Sequence, residues 1–97
     1  MPALANEPPN RPRIRYGERF LRDYAKTSPS IQKAFDKQAR ILLTDPRHRS
    51  LRAAKYETQE FAPIREVWYA RATLKWRFFY TIVGDTYWFL ALREHPK

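Results

Sequence analysis

The sequence predicts an α+β domain in which two N-terminal helices pack on one face of a twisted antiparallel β-sheet. Three observations carry this. Residues 66–92 read as a β-meander: Val67–Thr73 and Trp76–Val83 are rich in aromatic and β-branched residues, which fit a pleated, half-buried surface. Upstream, apolar residues recur at helical spacing in two segments. The order strand, helix, helix, then a run of strands indicates helices stacked on one side of an antiparallel sheet, whose other side stays open.

In chain order, residues 1–12 hold four of the eight prolines and almost no large apolar side chain, so a flexible tail is expected there, followed by one domain over 13–97. Arg13 to Tyr16 alternates and forms a short first strand with Ile14 and Tyr16 inward; Gly17 breaks it. Glu18 to Lys26 places Phe20, Leu21, Tyr24 and Ala25 at helical spacing. Ser28-Pro29 restarts a helix, with serine as N-cap and proline where its missing N–H costs nothing. That helix carries Ile31, Ala34, Phe35, Gln38, Ile41 and Leu42 on one stripe, and Asp45-Pro46 ends it. Leu51 to Tyr56 is a candidate strand and Glu57 to Arg65 a loop. A break at Leu74-Lys75 and a turn at Gly84-Asp85 divide the meander, whose third strand is Thr86 to Leu92. Strict alternation puts Phe78, Tyr80 and Ile82 with Trp88, Leu90 and Leu92 on the apolar side. The opposite side collects Arg71, Arg77, Arg93 and, beyond the strand, His95.

Composition narrows the function. Nineteen Lys and Arg against ten Asp and Glu leave a net charge of +9, a long-range attraction for polyanions such as nucleic acid or the ribosome. An anionic membrane surface or an acidic protein is the blander partner. Without cysteine, disulfide scaffolds, thiol catalysis and Cys-based zinc sites are excluded. Two histidines, His48 and His95, make a histidine-rich metal site unexpected, and no cofactor is indicated. No apolar run approaches the roughly 20 residues that span a bilayer, and no signal-peptide core is present, so the cytoplasm is expected.

In a hairpin centred near Leu74, Arg71 and Arg77 stand roughly opposite one another. Two guanidiniums so placed repel unless an anion lies between them or Glu57 or Glu60 folds over. Their planar forks suit bidentate capture of phosphate oxygens, although arginines on a strand face are as often merely solvated. Histidine is the side-chain type that exchanges protons near neutrality, so His95 beside them would serve as a proton carrier at a phosphodiester. Arg47 to Lys55 reads as a phosphate-tracking run, with Arg52 and Lys55 facing opposite ways. Trp76 and Phe79 either stack on bases or fill the core.

These residues resemble a known family. The stretches DPRHRSLRAAKYE (Asp45 to Glu57), VWYAR (Val67 to Arg71), WRFFYTI (Trp76 to Ile82), GDTYWFL (Gly84 to Leu90) and the terminal HPK (His95 to Lys97) are together similar to toxins of the RelE/ParE superfamily from bacterial type II toxin–antitoxin systems, in the RelE-like mRNA interferase branch. The resemblance spans about Arg13 to Lys97 and implies the small α+β toxin fold with active groups on the concave face. It further implies a ribosome-dependent, metal-independent endoribonuclease that cleaves mRNA and inhibits translation, with an antitoxin, the ribosome and mRNA as partners. On this resemblance Arg71, Arg77 and His95 match the catalytic positions, and Arg52 and Lys55 the basic strand that faces RNA; Lys75, Arg93 and Trp76 are further candidate RNA-binding residues. Glu57 and Glu60 both stand as candidate bases. Two departures accompany it: Glu94 precedes His95 where some relatives have an aromatic, and no helix follows the last strand. The alternatives are a ParE-like, non-enzymatic DNA gyrase poison on the same fold, or a catalytically silent nucleic-acid-binding module.

Overall fold

A computed structural model describes residues 12–95; the proline-rich tail expected over 1–12 lies outside the described residues but for Pro12. In chain order the elements are β1 (Arg13–Tyr16), α1 (Glu18–Lys26), α2 (Pro29–Thr44), a 3₁₀ turn (Arg49–Leu51), β2 (Ala54–Lys55), β3 (Trp68–Arg71), β4 (Trp76–Val83) and β5 (Thr86–Glu94). The two helices pack against a five-stranded sheet of order β1-β5-β4-β3-β2.

The sheet is mixed rather than wholly antiparallel. β2 to β5 run antiparallel, but β1 joins the free edge of β5 in parallel. The reason is connectivity: the helical hairpin lies between β1 and the rest and returns the chain across the sheet, so β1 is not bound to a hairpin partner.

The helices form where propensity and capping agree. Ser28 Oγ accepts from the Ile31 amide at 3.4 Å and Pro29 opens α2, while the Tyr24 hydroxyl donates to Asp36 at 3.2 Å and joins α1 to α2. Phe20 from α1 and Phe35, Ala39 and Leu42 from α2 enter a core with Phe78, Tyr80, Phe89 and Leu92. The Phe35 ring meets Phe78 and Phe89 edge-on at 5.0 and 5.1 Å, a favoured geometry that adds to the roughly 1.5–3 kcal/mol gained by burying each ring. Leu21 and Ala25 stay exposed; nine residues of α1 cannot turn four consecutive turn positions to one sheet.

A β-bulge corrects the alternation expected of β5. Phe79 pairs with Ala91 but Tyr80 with Phe89, so Leu90 is the extra residue. Tyr87, Phe89 and Leu92 therefore face the helices, whereas Leu90 and Ala91 both join a second cluster with Phe61, Val67 and Phe79. That cluster corrects a further expectation. The sheet's second face is not open along its length: the 56–67 segment folds over part of it, and Thr81 Oγ1 donates to the Glu66 carbonyl at 2.6 Å to fasten the segment down. Gly84 at φ +62 makes the β4–β5 turn, a conformation that glycine adopts without penalty.

Candidate active site

The candidate site lies on the second face beside the 56–67 segment, whose Tyr56 forms part of its wall. Arg71 and Arg77 are cross-strand partners, and Arg77 in turn pairs with Arg93, so three neighbouring strands each contribute an arginine at one level. Thr73 Oγ1 accepts the amides of Lys75 and Trp76 at 3.2 and 3.1 Å, a hydroxyl-closed turn that sets this register. The His95 amide donates to the Lys75 carbonyl, which holds the end of the chain against the β3–β4 turn.

A cavity of about 100 Å³ opens here, lined by Tyr56, Tyr69, Arg77, Phe79, Arg93, Glu94 and His95. Its base is aromatic, and two guanidiniums lie over it: Arg77 is 4.6 Å from the Tyr69 ring centre and Arg93 is 4.4 Å from that of Phe79. Such stacking fixes a cation without consuming its hydrogen-bond donors.

The arginines differ in their charge partners. Arg93 grips Glu60 with both terminal nitrogens, Nη2 at 2.9 Å, while Arg19 reaches the same carboxylate at 2.9 Å. The hydrogen bond from Arg93 leads in holding the Glu60 carboxyl down to about 2, against a smaller opposing push from burial. Arg77 and Arg71 have no carboxylate within 4.0 Å among the described residues. Glu60 thus stands over Arg93 and not between Arg71 and Arg77, and as a doubly held carboxylate it is a poor proton acceptor near neutrality.

The sequence-derived residues divide into those the cavity gathers and those it does not. Arg77, Arg93 and His95 line it together. Arg71 lines a separate cleft with the 46–53 turn: β3 ends at Arg71, β2 covers only Trp68 and Tyr69, and that turn folds against the exposed strand end. Buried Gln38 donates to the Arg71 carbonyl at 3.0 Å and to that of Ser50 at 3.3 Å, clasping the two together. Arg52 also lines this cleft. It caps the 3₁₀ turn in the left-handed region at φ 47 and does not belong to a strand shared with Lys55. Lys55 is exposed and pairs with Glu66 at 3.1 Å; Lys75 is exposed in its turn. Trp76 is half-buried and packs against the helix-side core, because alternation with Arg77 sends it through the sheet, so it does not share the small cavity with Arg77. Tyr56 and Tyr69 were missed as site residues. Their signal was the aromatic spacing Tyr56–Tyr69–Phe79, which meets only once the 56–67 segment folds back.

No protein-family model matches this sequence, and neither does any curated protein. Solved structures do match. The archaeal RelE–RelB complex from Pyrococcus horikoshii OT3 aligns with a TM-score of 0.69 at 16% identity, covering 90% of this chain and 98% of that one. A YoeB/ParE toxin from Agrobacterium tumefaciens gives 0.67 at 16%, covering 87% and 99%. The fold is that of the RelE/ParE toxins. The toxin–antitoxin complex RelBE2 from Mycobacterium tuberculosis agrees, with a TM-score of 0.64 at 22% identity over 87% and 96%. On this fold the small cavity lies on the sheet face opposite the helices. Among the described residues no helix is long and apolar enough to cross a membrane.

Proposed function

We propose that this protein is the toxin of a toxin–antitoxin pair, a cytoplasmic, ribosome-dependent and metal-independent endoribonuclease that cleaves mRNA. The observation that carries this reading is one small cavity with Arg77, Arg93 and His95 on its walls and aromatic rings beneath the guanidiniums. The reaction is in-line attack of a ribose 2′-oxygen on the adjacent 3′ phosphorus. The 2′-hydroxyl gives its proton to solvent water as the O2′–P bond forms, and the P–O5′ bond breaks, leaving a 2′,3′-cyclic phosphate and a 5′-hydroxyl. Arg77, which has no carboxylate partner among the described residues, stabilises charge on the non-bridging oxygens as the pentacoordinate state develops. His95 exchanges the proton at the departing 5′-oxygen. Glu60 holds Arg93 in place and takes no proton. The Tyr56 hydroxyl, 3.5 Å from Arg93 Nη2, is a further protic group in the cavity. Arg71, Arg52, Lys55 and Lys75 hold RNA backbone outside it.

The neighbours from Pyrococcus horikoshii and Mycobacterium tuberculosis are toxin–antitoxin complexes, which supports an antitoxin as partner here. A net charge of +9 calls for an acidic or amphipathic one that screens the arginine-bearing face. The deciding experiment maps cleavage of an mRNA in a translating extract, with and without EDTA added to the toxin alone, beside a gyrase supercoiling assay. Cleavage with cyclic-phosphate ends is expected. Inhibited supercoiling with intact mRNA would replace this reading with the gyrase poison.

A further inference from the structure

Outside the cavity lies a larger cleft of about 990 Å³, on the helix side of the sheet past the end of α2. The 46–53 turn forms one wall, and Trp68, Tyr80 and Ile82 the other. We infer that this cleft is a second binding site, for single-stranded polynucleotide, with phosphates on Arg47, Arg49 and Arg52 and a base against Trp68.

Charge is the first argument. Arg47, His48, Arg49 and Arg52 all line the cleft, and the chain has no acid from Pro46 to Tyr56. Among the described residues none of these arginines has a carboxylate within 4.0 Å. So dense a set of like charges repels itself and is relieved by a polyanion, whose phosphates the guanidinium fork fits in bidentate fashion. Preorganisation is the second. His48 Nδ1 lies 3.1 Å from the Ser50 amide, which it accepts, and 2.8 Å from Ser50 Oγ, while Gln38 holds the Ser50 carbonyl. The arginines therefore project from a pinned backbone, and little ordering cost remains for binding. Arg52 at φ 47 is a positive-φ residue of a kind concentrated at binding sites.

The aromatic wall selects between polyanions. The half-buried Trp68, backed by buried Tyr80, offers a π-face on which a base stacks, whereas it gives an acidic peptide's carboxylates nothing. The volume suits a nucleotide with its flanking phosphates. Arg71, at the end of β3, lines this cleft, while its cross-strand partner Arg77 lines the small cavity on the opposite face. The inference does not depend on cleavage.

The test uses labelled oligodeoxythymidylate of about 12 nucleotides, within the usual single-strand site range, which lacks the 2′-hydroxyl and cannot be cut by 2′-oxygen attack. Fluorescence anisotropy is recorded over a salt series, with thermal melts for each variant. The Arg47→Ala/Arg49→Ala chain is expected to bind about tenfold more weakly and to lose roughly 1.4 from its log–log salt slope, two phosphate contacts at about 0.7 each. Lys33→Ala/Lys37→Ala removes the same charge from exposed α2 positions and should stay within twofold. An abasic strand of equal charge should bind several-fold more weakly than the normal one. Equal losses from both double variants, or equal binding of the abasic strand, would overturn the proposal. So would poly-glutamate of matched charge binding as tightly through the same arginines, which would make the cleft a peptide site.

Discussion

The two faces of this sheet are both paved with aromatic rings and put them to opposite uses. On the helix side, Phe20, Phe35, Phe78 and Phe89 turn to one another, edge to face, and exclude water. On the other side, Tyr69, Phe79 and Phe61 each meet a guanidinium, from Arg77, Arg93 and Arg19. One face uses its rings for packing alone, whereas on the other Phe61 and Phe79 are buried in a cluster of their own and hold cations besides. An α-helix supplies a broad apolar stripe and closes the first face; a short segment closes only part of the second, and the small cavity lies beside it.

The contrast is broken most severely from the helix side. Phe35→Ala should cost about 3–5 kcal/mol, since α2 cannot collapse onto the void, while Phe61→Ala should cost on the order of 1–3 kcal/mol because its segment can settle. Chemical denaturation of both variants checks this, and equal losses would show the two faces to be packed alike. Next comes Arg77→Ala, expected to slow single-turnover mRNA cleavage on programmed ribosomes by about 10²–10³, by analogy with oxyanion donors. Its melt should fall by no more than roughly 1 kcal/mol, the worth of one partly exposed cation–π contact. Arg77→Lys should recover only part of the rate, for want of the fork; a folded alanine variant within a few-fold of the parent would remove the site.

Glu60→Gln sharpens the comparison through pH. The folded-state carboxyl is depressed to about 2, below the roughly 4.3 of an unfolded glutamate. Its stabilisation, roughly 1 kcal/mol for a partly exposed pair, is therefore complete above the unfolded value and lost as pH falls toward 2. The melting difference between parent and variant should be constant from neutrality to about pH 5 and shrink below that; a difference unchanged down to pH 2 would mean that the ion pairs contribute nothing. The smallest effect is assigned to Lys55→Ala. Its partner Glu66 is exposed, so stability should move by less than about 0.5 kcal/mol and the salt slope by less than about one unit. Loss of single-turnover cleavage at saturating ribosome would place Lys55 in the chemistry instead.

Much of this was legible because it is local. Helical spacing, the Ser28-Pro29 cap and the hairpin that sets Arg71 opposite Arg77 depend on residues a few positions apart. What was not legible depends on pairing at a distance. A parallel edge strand leaves no periodic mark of its direction, and Ile14 and Tyr16, expected inward, are both exposed at this edge. The bulge at Leu90 inverted the alternation counted along β5. Arg71 and Arg77 shared a level as expected, yet no pattern told that the 46–53 turn would claim Arg71. Trp76 could be assigned to the core only once its register against Arg77 was known.

The bulge has a consequence for chain length. Nine residues of β5 lie against eight of β4, and counted without interruption from Tyr87 every second residue would include Arg93, sending it under the helices. The doubled step at Leu90 and Ala91 absorbs one residue as a slack link absorbs a turn of cable. Length variation is thus tolerated at this one place: removing Leu90 leaves Tyr87, Phe89 and Leu92 inward and Arg93 outward, whereas removing Leu92 turns the terminal residues over. A Leu90 deletion that melts cooperatively, beside a Leu92 deletion that does not, is the expected pair of outcomes, and the reverse would mean that the slack lies elsewhere.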